Sequence, residues 1–179
     1  MTTSATTIDM ESPSRWLALL RIVVGLYFLK ALWTKLTVVL AGGFLPLPAV
    51  SSRWIETMPK IVAKQAAENP ILFYKAFLEG TVLPNAPLFA QLTAWGETLV
   101  GLGLTFGLIT GLSALGGLLL AVSYGLATQW MSSNQLGFHL VLGTCMVAFF
   151  MARAGRAWGM DAWLAWRFGE RWFTRRPFA

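Results

Sequence analysis

Four ionisable side chains with chemistry to offer, Lys30, Lys35, Glu97 and His139, stand inside or beside long apolar runs of the sequence. Glu97 is the sharpest case. It lies near the middle of residues 88–108, LFAQLTAWGETLVGLGLTFGL, a run about as long as a bilayer is thick, roughly 20 residues at ~1.5 Å each. A carboxylate at that depth costs at least a few kcal/mol unless it is paired or faces a wet cavity. Glu97 and His139 can exchange protons with a bound molecule, which makes them the candidate catalytic residues. Lys30 and Lys35 can donate hydrogen bonds to a carbonyl oxygen or attract a small anion, and with Trp95 they are the candidate binding residues. The structural alternative is a Lys30–Glu97 pair joining two helices, with His139 in a hydrogen bond inside the bundle.

The elements that must position these groups follow from composition. The chain has 179 residues, 56% apolar and only 12% charged, against about 25% charged in a soluble domain. That is the signature of one integral membrane domain. The net charge of +6 does not point to nucleic acid, because most arginines follow the last apolar run, where they suit the cytoplasmic face of a membrane. Trp33, Trp54, Trp95, Trp130, Trp158 and Trp163 read together as interface anchors. Cys145 is the single cysteine, which excludes an internal disulfide and a cysteine-ligated iron–sulfur cluster and suits a small buried residue. One histidine excludes bis-histidine haem, and ligands for zinc are lacking, so no metal site is expected. Asp9 and Glu11 stand where a secretory signal would be basic.

In chain order, residues 1–14 form a polar, mobile tail, and Ser12-Pro13-Ser14 opens a first span over 15–40. Arg21 is placed to snorkel to the inner surface, and Lys35 to the outer one. Residues 41–86 are a long outer connection with two amphipathic segments, one near 54–68, where Pro59 breaks or starts a helix capped by Thr57, and one at 71–78. Asn85-Ala86-Pro87 opens the second span. Gly103, Gly107 and Gly111 form a small-residue stripe for close helix packing, and Ser113, Gly117, Ala121 and Gly125 repeat the device in a third span to about 130. A fourth span, 135–151, stops at Arg153 and Arg156. The expectation is an all-α integral membrane protein: a four-transmembrane-helix bundle, an outer amphipathic loop, and a cytoplasmic interfacial C-terminal helix. The basic tail at 168–179 places both termini in the cytoplasm.

Three blocks carry a family resemblance: GLYFLKALWTKL, GETLVGLGLTFGLITGLSALGG and RAGRAWGMDAWL, the last with a Gly-x-x-x-Gly-x-Asp spacing. Over residues 15–167 the chain resembles DoxX/DoxD-type membrane proteins, with an outer loop longer than in the shortest members. It departs from them at Gly111, where an arginine is common, and at His139. The resemblance implies a four-helix protein of a prokaryotic inner membrane. It also implies a subunit of a quinone-linked oxidoreductase of the thiosulfate:quinone type, with quinone as acceptor, a small sulfur oxyanion as a candidate ligand and other subunits as partners. The alternative it leaves open is a non-catalytic accessory subunit of a larger redox or photosynthetic membrane complex.

Overall fold

The structure is a computed structural model that describes residues 13–169, 171, 174–175 and 177–178. The expected N-terminal tail therefore lies, through residue 12, outside the described residues. The chain runs through α1 (Pro13–Leu29), a short α2 (Ala31–Thr34), a hairpin of β1 (Leu36–Ala41) and β2 (Leu45–Val50), α3 (Ser52–Ala67) and α4 (Leu72–Phe77). A π-helical turn (Leu78–Val82) leads into α5 (Ala86–Phe106), α6 (Thr110–Thr128) and α7 (Ser133–Met151), and a 3-10 turn at Ala154–Arg156 precedes α8 (Met160–Phe168). Among the described residues, three segments are long and apolar enough to cross a membrane: Ser14–Thr34, Thr110–Thr128 and Ser133–Met151.

The helices stack as α1 on α5, α5 on α6, and α6 on α7, while α1 and α7 make only slight contact. Their common core holds Phe28, Val100, Leu104, Ala114, Leu142, Met146 and Phe149. Small residues set the spacing, because without a strong hydrophobic drive between helices in lipid, close backbone approach must supply the attraction. A Cβ on Gly101 would sit 2.8 Å from the backbone nitrogen of Leu29, so α1 and α5 can meet there only over glycine. Gly117 makes room in the same way for Met146 across α6 and α7. The expected stripe through Gly103, Gly107 and Gly111 does not exist as one face. Gly107 ends α5 in the left-handed conformation (φ 63°), and Gly111 belongs to α6.

The expectation of an all-α chain is corrected at residues 36–50. The first helical segment stops at Thr34, and the chain turns into an antiparallel hairpin. The physical cause is local: Val38-Val39 favour a strand, and Gly42-Gly43, both at positive φ, supply the turn. A second correction concerns α3. Ser51, not Thr57, caps it, accepting from Trp54 N at 3.3 Å, and Pro59 sits inside the helix without ending it. Burial of Met58, Val62 and Ala66 along one face holds the helix across the proline. That face joins Tyr74, Leu78, Val82, Ala90 and Ala127 in a second core, which seats α3 and α4 over the end of α5 and α6. Asn69 pins this cap by donating Nδ2 to Leu126 O at 3.0 Å, and Tyr74 does so by donating its hydroxyl to Ser123 O at 2.7 Å.

The opposite end is closed by the C-terminal segment. The Asp161 carboxylate accepts from Ile109 N at 2.8 Å and Thr110 N at 2.9 Å, the orphan N–H groups that open α6, where the helix dipole favours negative charge. The next two orphans, Gly111 N and Leu112 N, donate to Phe178 O. Gly155 and Gly159 of the Gly-x-x-x-Gly-x-Asp run are small for a reason: a Cβ on Gly155 would collide with Thr110 and the Asp161 carboxylate, and one on Gly159 with Gly155 O. Arg21 does not snorkel. It is 0% exposed, donates Nη2 to Trp158 O at 3.1 Å, and lies over Gly107 and Gly159 close to Asp161. Replacing Asp161 by Ala removes two charge-assisted hydrogen bonds and is expected to destabilise the detergent-solubilised protein by about 3 kcal/mol, with Asn intermediate. Thermal unfolding checks this, and an unchanged midpoint for Asp161→Ala would remove the carboxylate from this role.

Candidate functional site

Glu97 faces inward from the middle of α5, among Ala90, Ala94, Thr98 and Gly101, the small and buried residues of that helix. It is 6% exposed. One oxygen, Oε1, accepts from Lys35 Nζ at 2.7 Å and from the Tyr124 hydroxyl at 2.7 Å. The other, Oε2, is buried with no hydrogen-bond partner among the described residues. Two donors on one oxygen and none on its twin leave an acceptor unused among the described residues.

Each partner is delivered by a different element. Lys35 is the residue between α2 and β1, and its carbonyl accepts from Ser51 N at 2.9 Å, so the hairpin closes at its root. Closing the root brings the start of α3 alongside, and Trp54 lays its ring under the Lys35 ammonium at 4.1 Å. Trp54 is itself fixed, its Nε1 donating to Ala90 O on α5 at 3.1 Å. Tyr124 comes from α6, next to Ser123, whose carbonyl takes the Tyr74 hydroxyl. Outside the spanning helices, burial pushes the Tyr74 phenol above its ordinary range, so it stays a neutral donor. The ion pair is thus enclosed on three sides by aromatic rings and cap helices. In such surroundings a carboxylate and an ammonium hold each other strongly, and removing either leaves a buried unpaired charge.

The structure brings together Glu97 and Lys35 from the sequence-derived set and separates the others. Lys30 is exposed and places Nζ over the Tyr27 ring at 3.9 Å, so the expected Lys30–Glu97 pair is replaced by Lys35–Glu97. His139 is half-buried on α7, its Nδ1 2.8 Å from Gln135 O one turn back and its ring edge-on to Phe138, and it is not among the contacts of Glu97. Trp95 is half-buried two residues before Glu97, roughly 200° round the helix. Two members of the site are not marked by the sequence. Trp54 reads there as an interface anchor, and nothing in the spacing of Tyr124 marks it as a partner for a residue on α5. A tyrosine hydroxyl inside an apolar span needs an acceptor, and that need was the available signal.

The comparison with known families matches residues 16–174 to the family described as TQO small subunit DoxD, nearly the whole chain. No solved structure matches the chain.

Lys35→Met is expected to cost about 3 kcal/mol, and Tyr124→Phe about 1 kcal/mol. The double variant Lys35→Met/Glu97→Leu should recover most of the lysine loss, since no charge is then left alone. Melting in detergent measures these three and the single Glu97→Leu, and simple additivity of the Lys35 and Glu97 losses in the double variant would contradict the pairing.

Proposed function

The chain belongs to the DoxD family, and on that premise we propose that it is a membrane subunit of a quinone-linked oxidoreductase, of the thiosulfate:quinone type. In this reading α5 is a fourth span, its 21 residues reaching about 31 Å at ~1.5 Å per residue. The arginine-rich end with Arg153, Arg156 and Arg167 faces the cytoplasm of a prokaryotic inner membrane, with both termini there. The hairpin, α3 and α4 then cap the outer end, and α8, with Trp163 and Trp166 exposed, lies in the inner interface.

The observation that carries the reading is the half-used carboxylate of Glu97. A quinone headgroup beside it finds a donor for a carbonyl oxygen in Lys35, whose ammonium has N–H groups beyond the one given to Glu97, while the single Tyr124 O–H stays on Oε1. As two electrons arrive from a partner subunit, two protons must reach the ring oxygens: Glu97, protonated first from solvent, delivers one, and water at the headgroup supplies the other. In the quinol, the unpartnered Oε2 accepts the new O–H. Lys35, already bound to Glu97, keeps the site near neutral, so a sulfur oxyanion is better received by the partner subunit than here.

One observation favours the accessory reading, in which the chain holds helices and lipids of a larger redox or photosynthetic complex. The two cavities described, about 300 Å³ at the Arg153–Arg156 end and about 180 Å³ between α1 and α7, do not touch Glu97. With Glu97 only 6% exposed, a headgroup must part neighbouring side chains to reach it.

Glu97→Gln separates the two. Under the catalytic reading, membranes carrying it lose thiosulfate-dependent quinone reduction by roughly 100-fold or more, within the usual span for a lost acid–base group. Expression and co-purifying subunits stay normal. Activity within a factor of two of the parent, with the complex intact, would leave only the accessory role.

A further inference from the structure

The hairpin between Lys35 and Ser51 is uncharged throughout, LTVVLAGGFLPLPAV, and beyond its base, where Leu36 is buried and Ala49 and Val50 are half-buried, both its faces stand open. Val38 is 67% exposed and Phe44, at the tip, 81%, with Val39, Leu40, Leu45 and Leu47 exposed beside them. Its two edges differ. Ser51 N donates to Lys35 O, which makes Lys35 and Ser51 a hydrogen-bonded pair one step beyond Leu36 and Val50. Alternation along an antiparallel ladder then makes Thr37–Ala49 and Val39–Leu47 hydrogen-bonded pairs as well. The remaining residues turn their backbone groups outward: Leu36, Val38 and Leu40 on β1, where Leu40 O also accepts from Gly43 N across the turn at 3.4 Å, and Pro46, Pro48 and Val50 on β2. Proline has no N–H, so the β2 edge lacks two of its donors and cannot take a further strand. The β1 edge keeps its donors, and neither Val38 N nor Leu40 N has another element bonded to it among the described residues.

We propose that β1 pairs antiparallel with β1 of a second copy of this chain, joining two hairpins into a four-stranded sheet about a two-fold axis. The register follows from which groups face outward. Val38 meets the partner subunit's Val38, and Leu36 meets the partner subunit's Leu40, so every outward donor on β1 finds an acceptor. A second copy is the occupant for two reasons. With one competent edge per hairpin, pairing closes at two copies, and both outer edges of the resulting sheet are the proline-bearing β2. With no charge from Leu36 to Ser52, identical strands lie side by side without repulsion. The pairing also bears on the root of the hairpin, where Lys35 and Trp54 meet.

The test is cysteine crosslinking in native membranes, in a Cys145→Ala background that removes the single native thiol. Across the two-fold axis the Cα atoms at Val38 come within about 5.5 Å, inside the range a disulfide bridges. Val38→Cys should therefore give a covalent dimer on mild oxidation. Leu47→Cys should not, being separated from its copy by three strand spacings of about 4.8 Å. Val38→Pro removes only an outward N–H, as Pro46 and Pro48 do opposite, and should convert a dimer in mild detergent to a monomer by light scattering. Equal crosslinking at Val38 and Leu47, or a dimer that survives Val38→Pro, overturns the proposal. So does an uncrosslinked Val38→Cys with a spin label at Phe44→Cys shielded from water-soluble quenchers, because the hairpin would then lie in lipid.

Discussion

A carboxylate in an apolar slab has to be answered by the chain that carries it, and the architecture around α5 is the answer. Glu97, only 6% exposed, cannot be left alone there, and its counter-charge does not come from α1, α6 or α7. It comes from Lys35, at the root of a hairpin, and the 2.7 Å contact ties the middle of α5 to the start of the cap. Once Lys35 is fixed, Ser51 closes the hairpin, α3 begins, and Trp54 covers the ammonium. Tyr124 then joins α6 to the same oxygen. Without the pair, the cap would have apolar contacts with α5 and α6 but no charged anchor among the described residues.

The other end solves a different polar problem. The first turn of α6 offers four N–H groups with no helical partner, and the C-terminal segment satisfies all four through Asp161 and Phe178. Arg21 sits behind this closure, fully buried, with Nε and Nη1 unpartnered among the described residues. Its guanidinium is tied to the C-terminal segment through the Trp158 carbonyl, and Asp161 lies near enough for its charge to act on it, so α1 and that segment are held by polar attraction as well as packing. Ile109 takes a left-handed conformation that suits a β-branched residue poorly, and the carboxylate bond to its N–H holds it there.

These two polar ends explain why α5 can be both a scaffold and a site. Its small-residue face binds α1 and α6 tightly, while Glu97 leaves one oxygen unused in the middle of that contact. In the proposed quinone-linked reading, proton transfer is the use of that oxygen. The burial of Glu97 makes access to it the feature that separates a catalytic subunit from a structural one. The slight contact between α1 and α7 leaves a cavity of about 180 Å³ between them.

Much of this was legible in residue order alone. The extent of α5, its opening at Asn85-Ala86-Pro87, the depth of Glu97 and the spacing of Gly155, Gly159 and Asp161 are local properties, because helical period, proline and glycine act within a turn or two. The Gly42-Gly43 turn was equally local, yet its apolar flanks read as the end of a span, since hydropathy does not distinguish a strand from a helix of the same composition. The choice of Lys35 over Lys30, and of Tyr124 and Trp54 as its company, was settled only in three dimensions. Those partners lie 62 and 27 positions from Glu97, or act through Lys35, and they meet because the hairpin root, the cap and α6 converge. A charge can be seen to need a partner from its surroundings in the chain, but which partner arrives depends on chain reversals whose geometry no periodicity encodes.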